Sequence, residues 1–206
     1  MQATDGNFYG TTNEGGTNSN GTVFKITPSG VLTTLHNFNG TDGSGPIVGL
    51  VQATDGNLYG TAQLGRVNNN GTIFEITLTG VFTTLHSFIG TDGNLPQGTL
   101  LQATDGNFYR TTTSGGAINN GTFFSLSIGL GPFVKTLPDA ASVGTAVEIL
   151  GTNLAGATSV TFNGTAASFV VFSASNISTT VPVNASTGNV QVMTPAAHYP
   201  ATSCFE

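Results

Sequence analysis

The chain has 206 residues, of which only 7% are charged, and its formal net charge is −6 at pH 7. Its 4 Lys and Arg residues cannot form the clustered basic surface that a nucleic-acid backbone or an anionic membrane attracts, which excludes both as partners. No run of about 18 apolar residues occurs, so no membrane insertion is predicted, and a single cysteine excludes an intrachain disulfide.

Tandem repetition organises the first part of the chain. The segment Gln52–Thr61 recurs as Gln2–Thr11 and as Gln102–Thr111, 50 residues apart each time, with Arg110 in place of a glycine in the third copy. So regular a period indicates one supersecondary unit whose apolar faces are buried by neighbouring copies. Because the chain enters the first copy in mid-motif without a signal peptide, we expect it to begin inside a larger array.

Four strand-like runs are visible in the complete second copy, and 29 glycines with many Thr and Asn residues argue against helices. The runs are Leu50–Thr54, Leu58–Ala62, Thr72–Thr77 and Val81–Phe88. An Asp-Gly pair between the first two predicts a hairpin, since glycine supplies the positive φ of the turn. The predicted fold class is all-β: a propeller-like arc of three four-stranded repeats.

Two residue types recur in every copy of the motif, an aspartate in the turn and a tyrosine four positions later. We expect the aspartates to fix the hairpin turn and the tyrosines to wedge between repeats, because residues present in every copy serve what every copy must do. They are Asp5, Asp55, Asp105, Tyr9, Tyr59 and Tyr109.

The period is lost after Ser127. From Pro132 onward, short apolar runs follow one another at roughly ten-residue spacing with turn residues between them, which is the pattern of a small β-sandwich. The predicted organisation is therefore three repeats (1–50, 51–100 and a partial 101–127), a linker at 128–131 and an immunoglobulin-like β-sandwich at 132–206.

The first copy reads Gln-Ala-Thr-Asp-Gly-Asn-Phe-Tyr-Gly-Thr, then Gly-Thr-Val-Phe-Lys-Ile-Thr-Pro-Ser-Gly, then Thr-Thr-Leu-His-Asn-Phe, and the second copy repeats it with small variations. This sequence resembles the GloVer (Gloeo_Verruco) tandem repeat over residues 1 to about 127. The resemblance implies a bacterial secreted or surface-anchored protein, hence an extracellular or cell-surface location, and assigns no biochemical role. Members of that family usually carry more than three copies.

The C-terminal part resembles an IPT/TIG domain through Val147–Leu154, Ser159–Ala167 and Val181-Pro182. The resemblance implies an immunoglobulin-like sandwich that serves display, spacing and binding in extracellular proteins, without catalytic residues. The segment 196–206 departs from the family pattern, so we expect an atypical last strand.

Loops that share one face of such an arc hold the candidate ligand-binding residues. Asp42 and Asp92, each in a Thr-Asp-Gly turn, are the carboxylates best placed to converge, and oxygen-rich loops of this kind can hold Ca²⁺. Glu14, Gln63 and Arg66 lie on the same predicted face. The alternative is that Thr-Asp-Gly is only a turn. No motif requires a cofactor, and a divalent metal such as Ca²⁺ is the one candidate.

His36 and His86 occupy the same position in the first two copies and are also candidates for ligand binding. A partly buried structural role is one interpretation. The other is a metal or acid–base role, which needs nearby carboxylates that we expect the two histidines to reach only across neighbouring blades. No metal-binding His-Glu-x-x-His, Gly-x-Ser-x-Gly or phosphate loop is present, and Cys204 has no local base to activate it.

Three repeats cannot close a ring, because closed propellers need at least about four blades. We therefore predict a homodimer in which two arcs complete one six-blade ring. Three functions stay open: an extracellular module that binds a glycan or surface protein, a metal-assisted hydrolase or lyase at the channel mouth, and a structural spacer.

Overall fold

The computed structural model describes residues 1–65, 69–195 and 198–205. The chain divides into two compact units: Met1–Gln102 with Phe108–Ser127 forms the first, and Ala103–Asn107 joins the residues from Ile128 onward in the second. Every sheet is small, antiparallel and open, so the fold is all-β without a closed sheet in the described part of the chain.

One sheet forms from each repeat in the first unit. The first repeat contains β1 (Phe8–Thr12), β2 (Thr22–Ile26) and β3 (Leu32–Asn37). The second contains β4 (Val51–Gln52), β5 (Leu58–Ala62), β6 (Thr72–Ile76) and β7 (Phe82–Ser87). The third contains β8 (Leu101–Gln102), β9 (Phe108–Thr111) and β10 (Phe123–Leu126). Neighbours along the chain pair in each sheet, as in the predicted meander. Only the middle repeat has the predicted four strands, whereas the sheets of the first and third repeats have three among the described residues.

Alternation along the strands gives each repeat two apolar faces, an upstream face toward the preceding repeat and a downstream face toward the next. In the middle repeat, the upstream residues Leu58, Phe74 and Ile76 share a core with Tyr9 and Phe38 of the first repeat. On its downstream face, two aromatic contacts reach the third repeat: Tyr59 with Phe108 at 4.5 Å and Phe88 with Phe124 at 5.2 Å between ring centroids.

Hydrogen bonds to the aspartate side chains stabilise the Asp-Gly-Asn turns, as predicted. Asp5 Oδ1 accepts the backbone N–H of Asn7 at 3.0 Å, and the Tyr9 hydroxyl donates to Asp5 Oδ2 at 2.7 Å. Asp55 repeats both bonds, with Tyr59 again at 2.7 Å. Tyr9 and Tyr59 are buried between repeats, so the predicted wedge role is confirmed for these two tyrosines.

Two four-stranded sheets make up most of the second unit, with orders β11-β12-β16-β15 and β14-β13-β17-β18. The strands are β11 (Lys135–Leu137), β12 (Ala146–Leu150), β13 (Ser159–Phe162), β14 (Thr165–Ala166), β15 (Phe169–Ser173), β16 (Asn176–Thr180), β17 (Gly188–Met193) and β18 (His198–Phe205). A 3₁₀ turn at Leu154–Gly156 precedes β13. The two sheets contribute to one core, whose members include Val147, Ile149, Val160, Phe162, Ile177, Val190, Val192 and Tyr199.

The segment expected to form an atypical last strand contains β18, which pairs with β17 across a register shift between Asn189 and Gln191. No helix of the described residues has the length and apolar character needed to cross a lipid bilayer.

Candidate functional site

A histidine and an aspartate of the first repeat form a hydrogen-bonded pair. His36, near the end of β3, donates from Nε2 to Asp42 Oδ2 at 3.0 Å. The other carboxylate oxygen, Oδ1, accepts the backbone N–H of Asn39 at 2.9 Å. Both oxygens of Asp42 are therefore engaged within its own repeat, and the imidazole is held in one orientation.

The second repeat copies the pair. His86 Nε2 donates to Asp92 Oδ2 at 2.9 Å, and the backbone N–H of Ile89 donates to Oδ1 at 2.8 Å. The third repeat has no such pair, because its sequence contains no histidine at the matching position.

Each Thr-Asp-Gly turn also fastens its repeat to the next one. The Thr72 hydroxyl donates to the backbone carbonyl of Asp42 at 3.1 Å, and Thr122 does the same to Asp92 at 2.9 Å. A Cβ on Gly43, whose φ is +142°, would stand 2.8 Å from the Cβ of Ala62. Only glycine allows this conformation and this close approach, so the turn has a structural role at each junction.

The two pairs differ in what covers them. Phe82 of the middle repeat stacks on the His36 imidazole, with ring centroids 3.8 Å apart and planes within 6°. The His36 and Asp42 side chains are 18% and 17% exposed, whereas those of His86 and Asp92 are 38% and 35% exposed. Phe82 belongs to β7, the fourth strand of the middle repeat. The third repeat has no counterpart of this strand among its described residues, so no corresponding ring stacks on His86.

A cavity of about 170 Å³ opens where that ring is missing. Its lining is mostly apolar and comes from the second and third repeats: Ile73, His86, Phe88, Asp92, Phe124, Ser125 and Leu126. Because Phe124 contacts Phe88 across the junction, strand alternation turns the Ser125 side chain to the opposite face of β10. The Ser125 hydroxyl is thus not presented to His86 as a nucleophile.

The structure does not bring the remaining predicted site residues to these pairs. Glu14 is exposed, and Gln63 is half-buried, with its backbone N–H bonded to the Gly45 carbonyl at 3.1 Å. Arg66 lies outside the described residues. No group of three or more His, Cys, Asp or Glu side chains suited to a metal ion occurs within residues 1–65, 69–195 and 198–200. A metal-ligand role for Asp42 and Asp92 stays a prediction.

Phe82, which stacks on His36, is the residue of this site that the sequence did not identify. It was assigned to a strand, but nothing identified it as the ring that covers the histidine of another repeat. The first repeat has Leu32 at the matching position, so the aromatic character is not part of the repeated motif, and only spatial proximity reveals its partner.

The buried tyrosines Tyr9 and Tyr59, each bonded to an exposed aspartate, show the largest pKa shifts. Burial, together with the hydrogen bond to Asp5 and its charge, raises the pKa of Tyr9 to about 12. The same causes, with Asp55 as the partner, raise the pKa of Tyr59 further. Burial acts to raise the pKa of Asp5, but hydrogen bonds from Asn7 and Tyr9 outweigh it, so that pKa lies below 3.8.

Comparison with known proteins identifies a family. A family model described as the Gloeobacter/Verrucomicrobia repeat matches residues 1–175, which extends past the third repeat into the second unit. No separate match supports an IPT/TIG domain after it. No curated protein matches the chain.

Three solved structures of lyases are similar to this chain at low identity. Streptogramin B lyase is 12% identical with a TM-score of 0.39, over 94% of this chain and 60% of that one. Selenomethionine-substituted virginiamycin B lyase from Staphylococcus aureus is 14% identical with a TM-score of 0.40, over 100% of this chain and 73% of that one. A catalytically inactive variant of that enzyme with quinupristin is 15% identical with a TM-score of 0.39, over 100% of this chain and 73% of that one. This chain spans only 60% of the length of streptogramin B lyase. We therefore attribute lyase activity to those proteins alone.

Proposed function

Since the chain belongs to the Gloeobacter/Verrucomicrobia repeat family, we propose that it is a non-catalytic repeat module that binds or displays a glycan or protein. We place it outside the cell or at the cell surface, on the resemblance of its repeats to those of secreted and surface-anchored proteins. Its repeats (1–127) form a propeller-like arc, and an IPT/TIG-like β-sandwich (132–206) follows the linker at 128–131. Four strands in the middle repeat and a core shared by two four-stranded sheets support that architecture.

Apolar side chains exposed at both ends of the repeat array are the observation that carries this proposal. Phe123 on the downstream face of the third repeat is 71% exposed, whereas its counterpart Ile73 is 1% exposed. Phe8 on the upstream face of the first repeat is 44% exposed, whereas its counterpart Leu58 is fully buried. Exposed apolar faces of this kind mark association surfaces.

The two end faces match each other, because upstream and downstream faces already pack together at both internal junctions. A second copy can therefore place its upstream face on the downstream face of the first, and two copies with six repeats close a ring. In that homodimer the exposed end faces are buried, and the channel mouth carries two copies of Asp42 and Asp92.

A protein ligand is favoured over a glycan. The chain has no tryptophan, and the phenyl rings exposed at the array ends pack against a second copy in the proposed homodimer, so they offer no platform for a sugar. Sugar-binding platforms usually combine exposed aromatic rings with polar groups, whereas protein interfaces bury apolar side chains of this kind.

Molar mass in solution tests the assembly. We expect the unmodified chain to be a dimer by light scattering, Phe123→Ser and Phe8→Ser each to be a monomer, and Val170→Ser to remain a dimer. Val170 is 59% exposed in the second unit and serves as the matched control. Mixing the two monomeric variants restores one unmodified interface and should recover part of the dimer. A monomeric unmodified chain, or a dimeric Phe123→Ser variant, would contradict the shared ring.

The alternative function is a metal-assisted hydrolase or lyase at the channel mouth. The observation that favours it is the His86–Asp92 pair, which opens into a cavity. Titration of Ca²⁺ into the dimer by calorimetry, with Asp92→Asn as the comparison, tests it. Binding that is lost in Asp92→Asn, together with EDTA-sensitive turnover in a panel of ester and lactone substrates, would favour the enzyme over the binding module.

A further inference from the structure

The sheet of the third repeat ends one strand early. In the first two repeats a third long strand, β3 or β7, pairs with β2 or β6 along its whole length. In the third repeat β10 is the terminal strand of its sheet, and no strand of the described residues pairs with its other edge. The position that β3 and β7 occupy is open in this repeat.

Backbone groups of β10 are aimed at that open position. The Thr122 carbonyl accepts the Thr112 N–H at 2.8 Å, which directs even-numbered residues of this strand toward β9. Hydrogen-bonding direction alternates along an antiparallel strand, so the N–H and C=O groups of Phe123 and Ser125 face the open edge. In the middle repeat the corresponding edge is used, since the Gly71 carbonyl accepts the Phe88 N–H at 3.0 Å.

The cavity beside His86 lies where a side chain of the absent strand would enter. The first junction shows what fits there, because Phe82 of β7 stacks on His36 and also contacts Phe38 edge-on at 5.5 Å. The second junction has the corresponding histidine and phenylalanine, and the ring centroids of His86 and Phe88 are 4.8 Å apart. A cavity of about 170 Å³ is large enough for a phenyl ring, given that a dry cavity of roughly 150 Å³ binds benzene.

We propose that this open edge binds an extended peptide segment of a partner protein, which adds a strand to β10 and inserts an aromatic side chain beside His86. Backbone hydrogen bonds to Phe123 and Ser125 supply affinity, and the cavity supplies selectivity for the ring. A second copy of this chain could insert Phe82 here only by unpairing β7 from β6 in its own sheet, so the occupant is a segment of a partner protein. The inference rests on the proposed binding function but uses a surface separate from the array ends.

The peptide that tests this proposal is taken from the chain itself. A synthetic peptide of residues 80–88 carries the strand that fills the first junction, and fluorescence anisotropy of a labelled copy measures its binding to the full chain. We expect saturable binding, weakened at least about tenfold when the peptide carries Phe82→Ser, because the buried ring is lost. Absence of binding up to about 1 mM peptide would overturn the proposal.

Two variants of the protein locate the site. Ser125→Pro removes one N–H at the open edge and is tolerated on an edge strand, so it should retain the fold by circular dichroism while abolishing peptide binding. His86→Ala should reduce the advantage of the Phe82 peptide over its Phe82→Ser form by about 3- to 10-fold. Binding that is unchanged in both variants would place the peptide elsewhere and overturn the inference.

Light scattering on the same samples separates this inference from the proposed function. A dimer that does not bind the peptide contradicts strand addition alone. A monomer that binds the peptide contradicts the shared ring and leaves strand addition standing.

Discussion

The two junctions between repeats use the same histidine, aspartate, turn and threonine, yet one is closed and the other is open. At the first junction Phe82 covers the His36–Asp42 pair. At the second junction the His86–Asp92 pair borders a cavity, because the third repeat contributes no strand above it. The hydrogen bonds within the pairs are alike, at 3.0 and 2.9 Å. The difference comes entirely from the neighbouring repeat.

This comparison shows how an array can make a binding site without changing its motif. In a repeat protein the outer side of each unit is completed by its neighbour. Omission of one strand from a terminal repeat therefore exposes an edge and a histidine that are internal everywhere else. No new residue is needed, which is why the site has no signature of its own in the sequence.

The largest effect is expected from removing the ring that closes the first junction. Phe82→Ala should lower the free energy of unfolding by about 2–4 kcal/mol, since Phe82 packs against His36, Phe38 and Phe74. Phe172→Ala is the control, because that ring is 69% exposed in the second unit and its loss should cost less than about 1 kcal/mol. Urea denaturation measures both variants, and equal losses would contradict the importance of the closed junction.

The carboxylates should show a smaller difference in the same direction. Asp42→Ala should cost about 2 kcal/mol and Asp92→Ala about 1 kcal/mol, because water competes more effectively for the more exposed second pair. Asp139→Ala, at an exposed position of the second unit, should change stability by less than about 0.5 kcal/mol. A larger loss for Asp92 than for Asp42 in thermal or urea unfolding would reverse the assignment of closed and open junctions.

Alkaline pH should weaken both junctions through the buried tyrosines. The pKa of Tyr9 is raised in the folded chain from 10.0 to about 12, so the unfolded chain loses this proton first as pH rises. The stability contributed by neutral Tyr9 is thus complete below pH 10 and is lost between pH 10 and about 12. Tyr59, whose pKa is raised further, should extend that loss to higher pH.

The free energy of unfolding measured from pH 8 to 12 checks this behaviour. Tyr9→Phe and Tyr59→Phe should each make the free energy of unfolding decrease less steeply above pH 10. Tyr199→Phe, in the core of the second unit, is the control and should leave the decrease unchanged, because no aspartate partner of Tyr199 is among the described contacts. An unchanged slope in both junction variants would show that other groups govern alkaline unfolding.

The smallest effect concerns Gly98 and Arg110, two neighbouring residues at the second junction. The Arg110 side chain lies over Gly98, where an added Cβ would collide with the guanidinium group. Gly98→Ala should cost about 1 kcal/mol, and Arg110→Gly should relieve about 0.5–1 kcal/mol of that cost, since the end of a long side chain can move aside. A double-mutant cycle in urea gives the coupling, and a coupling of zero would show that the two positions are independent.

Much of the first unit follows from its sequence. The Asp-Gly turns, the boundaries of β5, those of β6 to within one residue, and the burial of Tyr9 and Tyr59 were predicted. Each depends on local turn chemistry or on a period shared by all copies. Of the site, the sequence identified His36, His86, Asp42 and Asp92 as candidates. It did not predict that each histidine bonds the aspartate six residues later. The segment between them contains a strand end and a turn whose conformation depends on two glycines with positive φ.

What the sequence alone determined is the repeated unit: its strands, its turns and the residues that every copy uses to pack on the next. Tertiary structure decided which copies of those residues are covered, because exposure depends on the strand that a neighbour supplies and not on the residue itself. Leu32 and Phe82 occupy one position in the repeat, but only Phe82 meets a histidine, since the first repeat has no described neighbour on its upstream side. The open histidine and free edge of the third repeat arise from the same cause.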